Sequence, residues 1–370
     1  MIKVLTFVSL IFAALVLISC NPADQPAVGP EDEIYVMADS SEFQQLEPVL
    51  DSTFEKVIYT PQPENLFTLK RVSPNQLDNY KRSKNLVIVA PLDSKSMTSR
   101  FINAIMDTSV KAKFIEEKNM HVNKYNLWAR NQLVMILTAP SMKELKNDIL
   151  THKDDLLYAF QKISDQRLAQ SLYSAPYEKK DVEGMLLKNY GWIIYVQADY
   201  QVALNIPKDN FVWFRRAPGS DMERWVFVHW IDNASPDYLN TDSIRAIRNR
   251  ITKKYYRTTD DSSYVVVAED YFTTNEVNFN GKYAILTQGL WDLNTKGMGG
   301  PFVNYTFFDE KTKRIYMLDG SVFAPSYYKR NLIQQMDVTL QSFMTESQLS
   351  KDRKEDLLDE AKNYKPLSGK

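Results

Sequence analysis

Residues 211–232, FVWFRRAPGSDMERWVFVHWID, read as two strands and the turn between them. Phe211 to Ala217 and Arg224 to Asp232 are aromatic and β-branched runs, and Pro218-Gly219-Ser220-Asp221 supplies the residue types that reverse a chain. Strands joined by so short a connection pair antiparallel. The same grammar recurs on either side. Toward the C-terminus, Lys282 to Asp292 and Phe302 to Asp309 are extended, and Asp309-Glu310-Lys311-Thr312 turns the chain into Arg314 to Phe323. Pro325-Ser326 is expected to open a final helix, whose Leu332, Met336, Leu340 and Phe343 keep helical spacing. Toward the N-terminus, Val122 to Ala129 and Gln132 to Thr138 form a second hairpin around Arg130-Asn131, and Ser141 caps one long helix running through Ile163.

Hairpin followed by helix therefore occurs three times, the helices passing through Ile149, Tyr256 and Phe343. A strand at Ile34 to Ala38, a helix from about Ser41 to Lys56 and the run Leu86 to Ala90 (LVIVA), a strand covered on both faces, precede the first hairpin. A further helical pattern spans Ser96 to about Glu117. This order predicts an α+β protein with largely antiparallel sheets and helices packed on one face. It divides into two related halves near Pro176 to Asp181, the first carrying a ferredoxin-like βαββα pattern. The expected segments are residues 34–178, residues 179–345, and a charged, fraying tail at 346–370.

The chain opens differently. Lys3 precedes a nearly unbroken apolar stretch from Val4 to Ile18, too short to cross a membrane, and Leu17-Ile18-Ser19-Cys20 has the order of a lipoprotein processing site. Cys20 is the only cysteine, so it has no disulfide partner within the chain, and acylation would consume its thiol. Residues 1–19 are thus expected to be removed as a signal peptide. Residues 20–33, rich in Pro and acidic side chains, form a flexible linker behind the lipidated Cys20. One acyl chain holds only marginally and two or three hold durably. The expected location is the cell envelope, as an outer-membrane lipoprotein facing the periplasm or the surface. Cleavage takes away only Lys3, leaving 44 Lys and Arg against 46 Asp and Glu, and a net charge near −2 argues against nucleic acid as a partner.

Chemistry-bearing residues are sparse. None of the three histidines, His121, His152 and His229, has a second His or a Cys at metal-ligand spacing, so neither a metal nor a cofactor is expected. No nucleophile elbow, phosphate loop or zinc-protease motif occurs. The best candidate surface is Gly289 to Phe302, GLWDLNTKGMGGPF, because five of the 11 glycines fall between Gly281 and Gly300. There Gly297, Gly299, Gly300 and Pro301 would expose backbone, and Trp291 would add a flat apolar face. The competing reading is a connection with a tight turn at Gly299-Gly300 and Trp291 in the core. Arg215 and Arg216 fall on opposite faces of their strand, so that one of them can join the site.

The block from Gly289 to Arg330, GLWDLNTKGMGGPFVNYTFFDEKTKRIYMLDGSVFAPSYYKR, resembles the C-terminal signature of a family of Bacteroidetes lipoproteins, domain of unknown function 4837. PQPENLFTL at residues 61–69 and FVWFRRA at 211–217 are similar to that family's pattern as well. The resemblance covers the mature chain to about Glu346 and implies a cell-envelope lipoprotein, with no catalytic residue to carry over. The expected role is a non-enzymatic binding or assembly module, held to the membrane by its lipid and engaging an envelope protein or glycan. The alternative is an envelope hydrolase whose carboxylates meet only in three dimensions.

Overall fold

The computed structural model describes residues 25–106 and 121–366. Cys20, residues 1–19 that are expected to be removed as a signal peptide, and the end of the helical pattern expected to reach Glu117 lie outside these described residues. Contacts gather the chain into two compact units, one formed by residues up to Lys56 together with Leu66–Ser164, the other by Val57–Asn65 and Asp165 onward.

The first unit holds β1 (Glu33–Met37) and helix α1 (Ser40–Phe54). The chain then gives the short strands β2 (Val57–Tyr59) and β3 (Pro63–Asn65) to the second unit and returns with β4 (Thr68–Val72). After helix α2 (Leu77–Tyr80) come β5 (Asn85–Val89), α3 (Met97–Ile105), β6 (His121–Tyr125) and β7 (Leu133–Leu137). The five strands stand in the order β4-β1-β5-β7-β6. β1 is parallel to both β4 and β5, and β5 is parallel to β7. Only the hairpin partner β6 runs antiparallel. This corrects the ferredoxin-like reading of the first half. Every residue of NLVIV and LVMIL is buried, as parallel strands covered on both faces require. One face packs on α1, α4 (Met142–Thr151) and the start of α5 (Lys153–Leu172), the other on Ile102 of α3. The single long helix expected after Ser141 is thus two, parted at His152.

The residues read as a flexible linker are laid along this unit from Gln25 onward. Ala27 N–H donates to the Arg130 carbonyl at 2.9 Å, Val28 pairs with both Arg82 and Lys84, and Glu31 meets Lys84 at 2.6 Å. Backbone pairing and one ion pair hold what Pro content alone suggested was free.

In the second unit a seven-stranded sheet runs β12-β13-β14-β15-β11-β10-β9, antiparallel throughout. Helix α6 (Lys180–Tyr190) and the short strand β8 (Trp192–Ile193) lead into β9 (Tyr200–Ile206), β10 (Phe211–Arg216) and β11 (Glu223–Ile231). Helix α7 (Thr241–Tyr255) precedes β12 (Val265–Phe279), β13 (Lys282–Leu293), β14 (Gly299–Asp309) and β15 (Arg314–Phe323). Helix α8 (Arg330–Gln341), β16 (Met344–Thr345) and α9 (Lys351–Glu360) complete it. The protein is α+β with mostly antiparallel pairing, but helices cover both faces of the larger sheet. α6 and α8 pack on the side of Val212, Phe214 and Val228, while α7 packs on the side of Phe211, Phe227 and Trp291. The two units are not copies of one architecture, since their sheets differ in strand direction and order.

To residue 366, where the described residues end, the charged tail is docked and not frayed. Leu357 of α9 is fully buried, and a Cβ on Gly184 of α6 would stand 2.0 Å from the Leu357 carbonyl, so only glycine allows this approach. Arg353 adds ion pairs to Glu178 and, at 2.7 Å, to Glu183. Burial raises the Glu183 carboxyl well above the ordinary range, Glu178 adds to the rise, and the Val196 N–H and Arg353 oppose it.

Candidate functional site

The glycine-rich stretch is a hairpin. β13 ends at Leu293, residues 294–298 turn, and β14 begins at Gly299. Gly297 takes φ +97° in that turn, where an L side chain is strained. Gly299 and Gly300 serve close packing: a Cβ on Gly299 would meet Asp292 Oδ1 at 2.6 Å, and one on Gly300 would meet the Val322 carbonyl at 2.0 Å. Trp291 is fully buried and its indole N–H donates to that carbonyl at 3.2 Å. Pro301 is buried within β14. Trp291, Gly300 and Pro301 are thus buried and not open to a ligand, which corrects the expectation for these three, while the turn at residues 294–298 with Gly297 is exposed. Gly299 and Gly300, which suggested ligand access, instead let one strand approach its neighbours.

Arg215 does come into the neighbourhood of Trp291. Its guanidinium donates to Glu223 Oε2 at 2.6 Å, the Trp225 indole donates to the same oxygen at 2.8 Å, and Trp225 lies 5.0 Å from Trp291. Arg216 faces the other way, pairing with Asp199 and donating to Gln197 Oε1 at 3.1 Å. Both arginines are engaged within the protein. Deeper under α7, Arg248 and Asp319 form a pair with both side chains almost wholly buried.

A different surface combines order with exposure. Between β15 and α8 the chain makes a turn, Tyr327 N–H donating to the Ala324 carbonyl at 3.2 Å, and residues 325–328 (PSYY) are exposed. Tyr328 is 81% exposed and Tyr327 45%. The turn is hydrogen-bonded from beneath. Glu64, the buried middle residue of β3, accepts the backbone N–H of Lys329 at 2.8 Å and of Arg330 at 2.9 Å, and Thr60 Oγ1 donates to it at 2.7 Å. A carboxylate from a distant hairpin thereby caps α8, satisfying donors that a helix start leaves open. This is why the helix begins at Arg330 and not at Pro325-Ser326. The Lys329 amine folds back to donate to the Tyr327 carbonyl at 2.7 Å; burial holds its pKa below the ordinary lysine range, with the Glu64 charge opposing the shift. Arg330 donates to Asn331 at 2.7 Å and to Gln334 at 3.1 Å. Sequence reading missed the tyrosines because they sat inside an expected helix. The signal available was that PQPENLFTL and APSYYKR, both within the motifs that carry the family resemblance, are the segments that Glu64 ties together.

Two shallow clefts lie beyond the β14–β15 turn, of about 440 Å³ and 430 Å³, with Lys311 and Ser347 lining both. Their charged walls are largely internally paired, Lys282 with Asp309 at 3.5 Å, Lys354 with Glu346 and Arg314 with Asp232 at 2.7 Å. Among the described residues no three His, Cys, Asp or Glu side chains are grouped to hold a metal ion. No helix among them is long and apolar enough to cross a membrane.

Residues 178–342 match the family described as Domain of unknown function (DUF4837). Residues 27–173 match another, Domain of unknown function (DUF8532), so the segment PQPENLFTL falls to this second family. No curated protein matches the chain. Among solved structures, the Saccharomyces cerevisiae Ran-binding protein Mog1p is similar at 9% identity and a TM-score of 0.28, over 42% of this chain and 90% of that one, which is too slight a likeness to bear on fold or function. Residues 178–342, the part of the chain similar to the DUF4837 family, span the seven-stranded sheet with α6, α7 and α8.

Proposed function

We propose that this chain is a membrane-anchored envelope lipoprotein whose folded part is a non-enzymatic binding module, and that Tyr327 and Tyr328 anchor a protein partner. The observation that supports the reading is the tyrosine pair, presented on an ordered turn that Glu64 fixes from below. Tyrosine offers a large contact area at little conformational cost, and a loop held on a rigid scaffold is where binding residues concentrate. The polar side chains beside the pair are engaged with one another, Arg330 with Asn331 and Gln334, and Gln334 with Asp165 at 2.7 Å. A sugar would need such donors and acceptors; burial of the tyrosine rings against another protein does not. The anchor rests on the order Leu17-Ile18-Ser19-Cys20.

Cross-linking in native envelopes, with the captured protein identified by mass spectrometry and its affinity then measured with purified components, tests the surface. Tyr327→Ala with Tyr328→Ala should weaken that affinity at least 30-fold at an unchanged melting temperature, the loss of one hot spot being ~2 kcal/mol or more. Equal affinity in the variant refutes the surface, and tyrosine-dependent retention on envelope polysaccharide refutes the protein partner. For the anchor, Cys20→Ala should abolish fatty-acid labelling and release the chain from the membrane fraction.

A further inference from the structure

The first unit brings together two histidines that stand 31 residues apart in sequence. His121 opens β6, paired opposite Leu137 on the antiparallel edge of the sheet. His152 sits at the break between α4 and α5, one helical turn beyond Asp148. The imidazole rings lie 6.2 Å apart between centroids, tilted by 52°. His152 Nδ1 is 3.0 Å from Asp148 Oδ1 and 3.1 Å from the Asp148 carbonyl oxygen. Both are acceptors, so Nδ1 carries the proton and Nε2 keeps its lone pair. Asp148 is well placed to hold that tautomer, its side chain being only 10% exposed. On the other ring, Nδ1 of His121 is buried and has no hydrogen-bond partner among the described residues. The charges of Asp148 and Asp155 both act on His121.

We propose that His121 and His152 form a binding site for one divalent transition-metal ion of the zinc type, His152 ligating through Nε2 with Asp148 orienting it. Imidazole suits zinc, copper and nickel, and a metal-bound histidine almost always donates its second N–H to a carboxylate or a backbone carbonyl. Here Asp148 supplies both. Two imidazoles holding one ion at ~2.1 Å place their ring centres roughly 5–6 Å apart. The observed spacing needs only a small closing movement of His152, whose side chain is 37% exposed. Water fills the other positions, or Asp155 swings in from the first turn of α5. The helix break at His152 is then the feature that aims one ligand at the other. An uninterrupted helix would carry residue 152 onward along the helix surface.

The test uses the full chain without an affinity tag of histidines, titrated with Zn²⁺ by calorimetry and with Co²⁺ by visible absorption. One ion per chain should bind with a micromolar dissociation constant, weaker at pH 5.5 than at pH 7.5 because the ligands must be neutral. His121→Ala and His152→Ala should each weaken binding more than tenfold. Asp148→Asn, which touches no metal, should weaken it about 10-fold by releasing the tautomer. Histidine ring resonances of the unmodified chain give a readout independent of variant folding: of the three histidines, His121 and His152 should shift on adding Zn²⁺ while buried His229 does not. No saturable binding at one ion per chain, or ring shifts that leave His121 and His152 untouched, overturns the site.

Discussion

Arg248 offers the sharpest test of the energetic reading of the second unit. It descends from α7 onto the sheet, donating through Nε to Asp319 Oδ2 at 2.7 Å and through Nη2 to Ser321 Oγ at 3.1 Å. Its guanidinium carbon lies 3.8 Å from the centre of the Phe302 ring. Asp319 also accepts from Asn304 Nδ2 at 3.1 Å and from Ser321 Oγ at 2.9 Å, and neither Arg248 nor Asp319 is exposed at all. Arg248→Met removes the counter-charge and strands a carboxylate in the core, at ~3–5 kcal/mol for breaking a buried pair, with ~1–2 kcal/mol more for the lost cation–ring contact. The surviving donors from Asn304 and Ser321 offset part of this, so about 4 kcal/mol is expected. Asp319→Leu should cost a similar amount by stranding Arg248. The double variant removes both charges and leaves only Asn304 and Ser321 short of an acceptor, at ~1–3 kcal/mol each. It should therefore be no less stable than either single variant, a coupling of about 4 kcal/mol. Five of the six tryptophans lie in the second unit, so urea unfolding followed by tryptophan fluorescence reads this sheet. Single variants costing under ~1 kcal/mol, or single losses that simply add in the double variant, would show that the pair is not desolvated as argued.

Gly300→Ala, which drives a Cβ to 2.0 Å from the Val322 carbonyl, should cost more than ~4 kcal/mol or prevent folding, while Gly297→Ala, strained but free of any clash, should cost about 1 kcal/mol in the same urea assay. Burial pulls His229 down to about 4, although its ring donates to the Asn210 carbonyl at 2.9 Å, which opposes the shift. Because the unfolded side chain titrates near 6.5, this stability is complete above that pH and is lost as pH falls toward 4, on the order of 3 kcal/mol, and His229→Gln should remove that dependence from unfolding midpoints compared at pH 7.5 and pH 4.5. Glu64→Ala leaves the Lys329 and Arg330 N–H groups without their acceptor and should cost ~2–4 kcal/mol, with hydrogen exchange accelerated first at residues 327–332.

Local signals carried the strands and turns. Alternation and turn chemistry placed the β10–β11 and β6–β7 hairpins, and Ser141 caps its helix as read, its Oγ accepting the Glu144 N–H at 3.4 Å. Strand order was not legible in the same way. That β1 lies between β4 and β5 is a choice among distant partners, and local periodicity is silent on it. Even so, LVIVA did signal a strand covered on both faces, which is the mark of parallel pairing. The glycines misled because glycine answers to positive φ, to ligand approach and to backbone contact alike, and only the Val322 carbonyl beside Gly300 decides among them. Leu357 misled in the opposite direction: one buried leucine and one facing glycine dock a helix whose charged sequence suggested a frayed end.

The Glu64 cap also bears on how the chain is made. Its acceptor and its donors are separated by 265 residues, and synthesis at ~5–20 residues per second puts on the order of half a minute between them. During that interval the hairpin has emerged and the helix it closes does not yet exist. The matched families meet between residues 173 and 178, whereas the hairpin at Val57–Asn65 packs with the residues from Asp165 onward. A gene fragment cut at the family border would encode a helix without its cap or a cap without its helix. Separating the two matched segments therefore severs the contact on which the tyrosine turn is built.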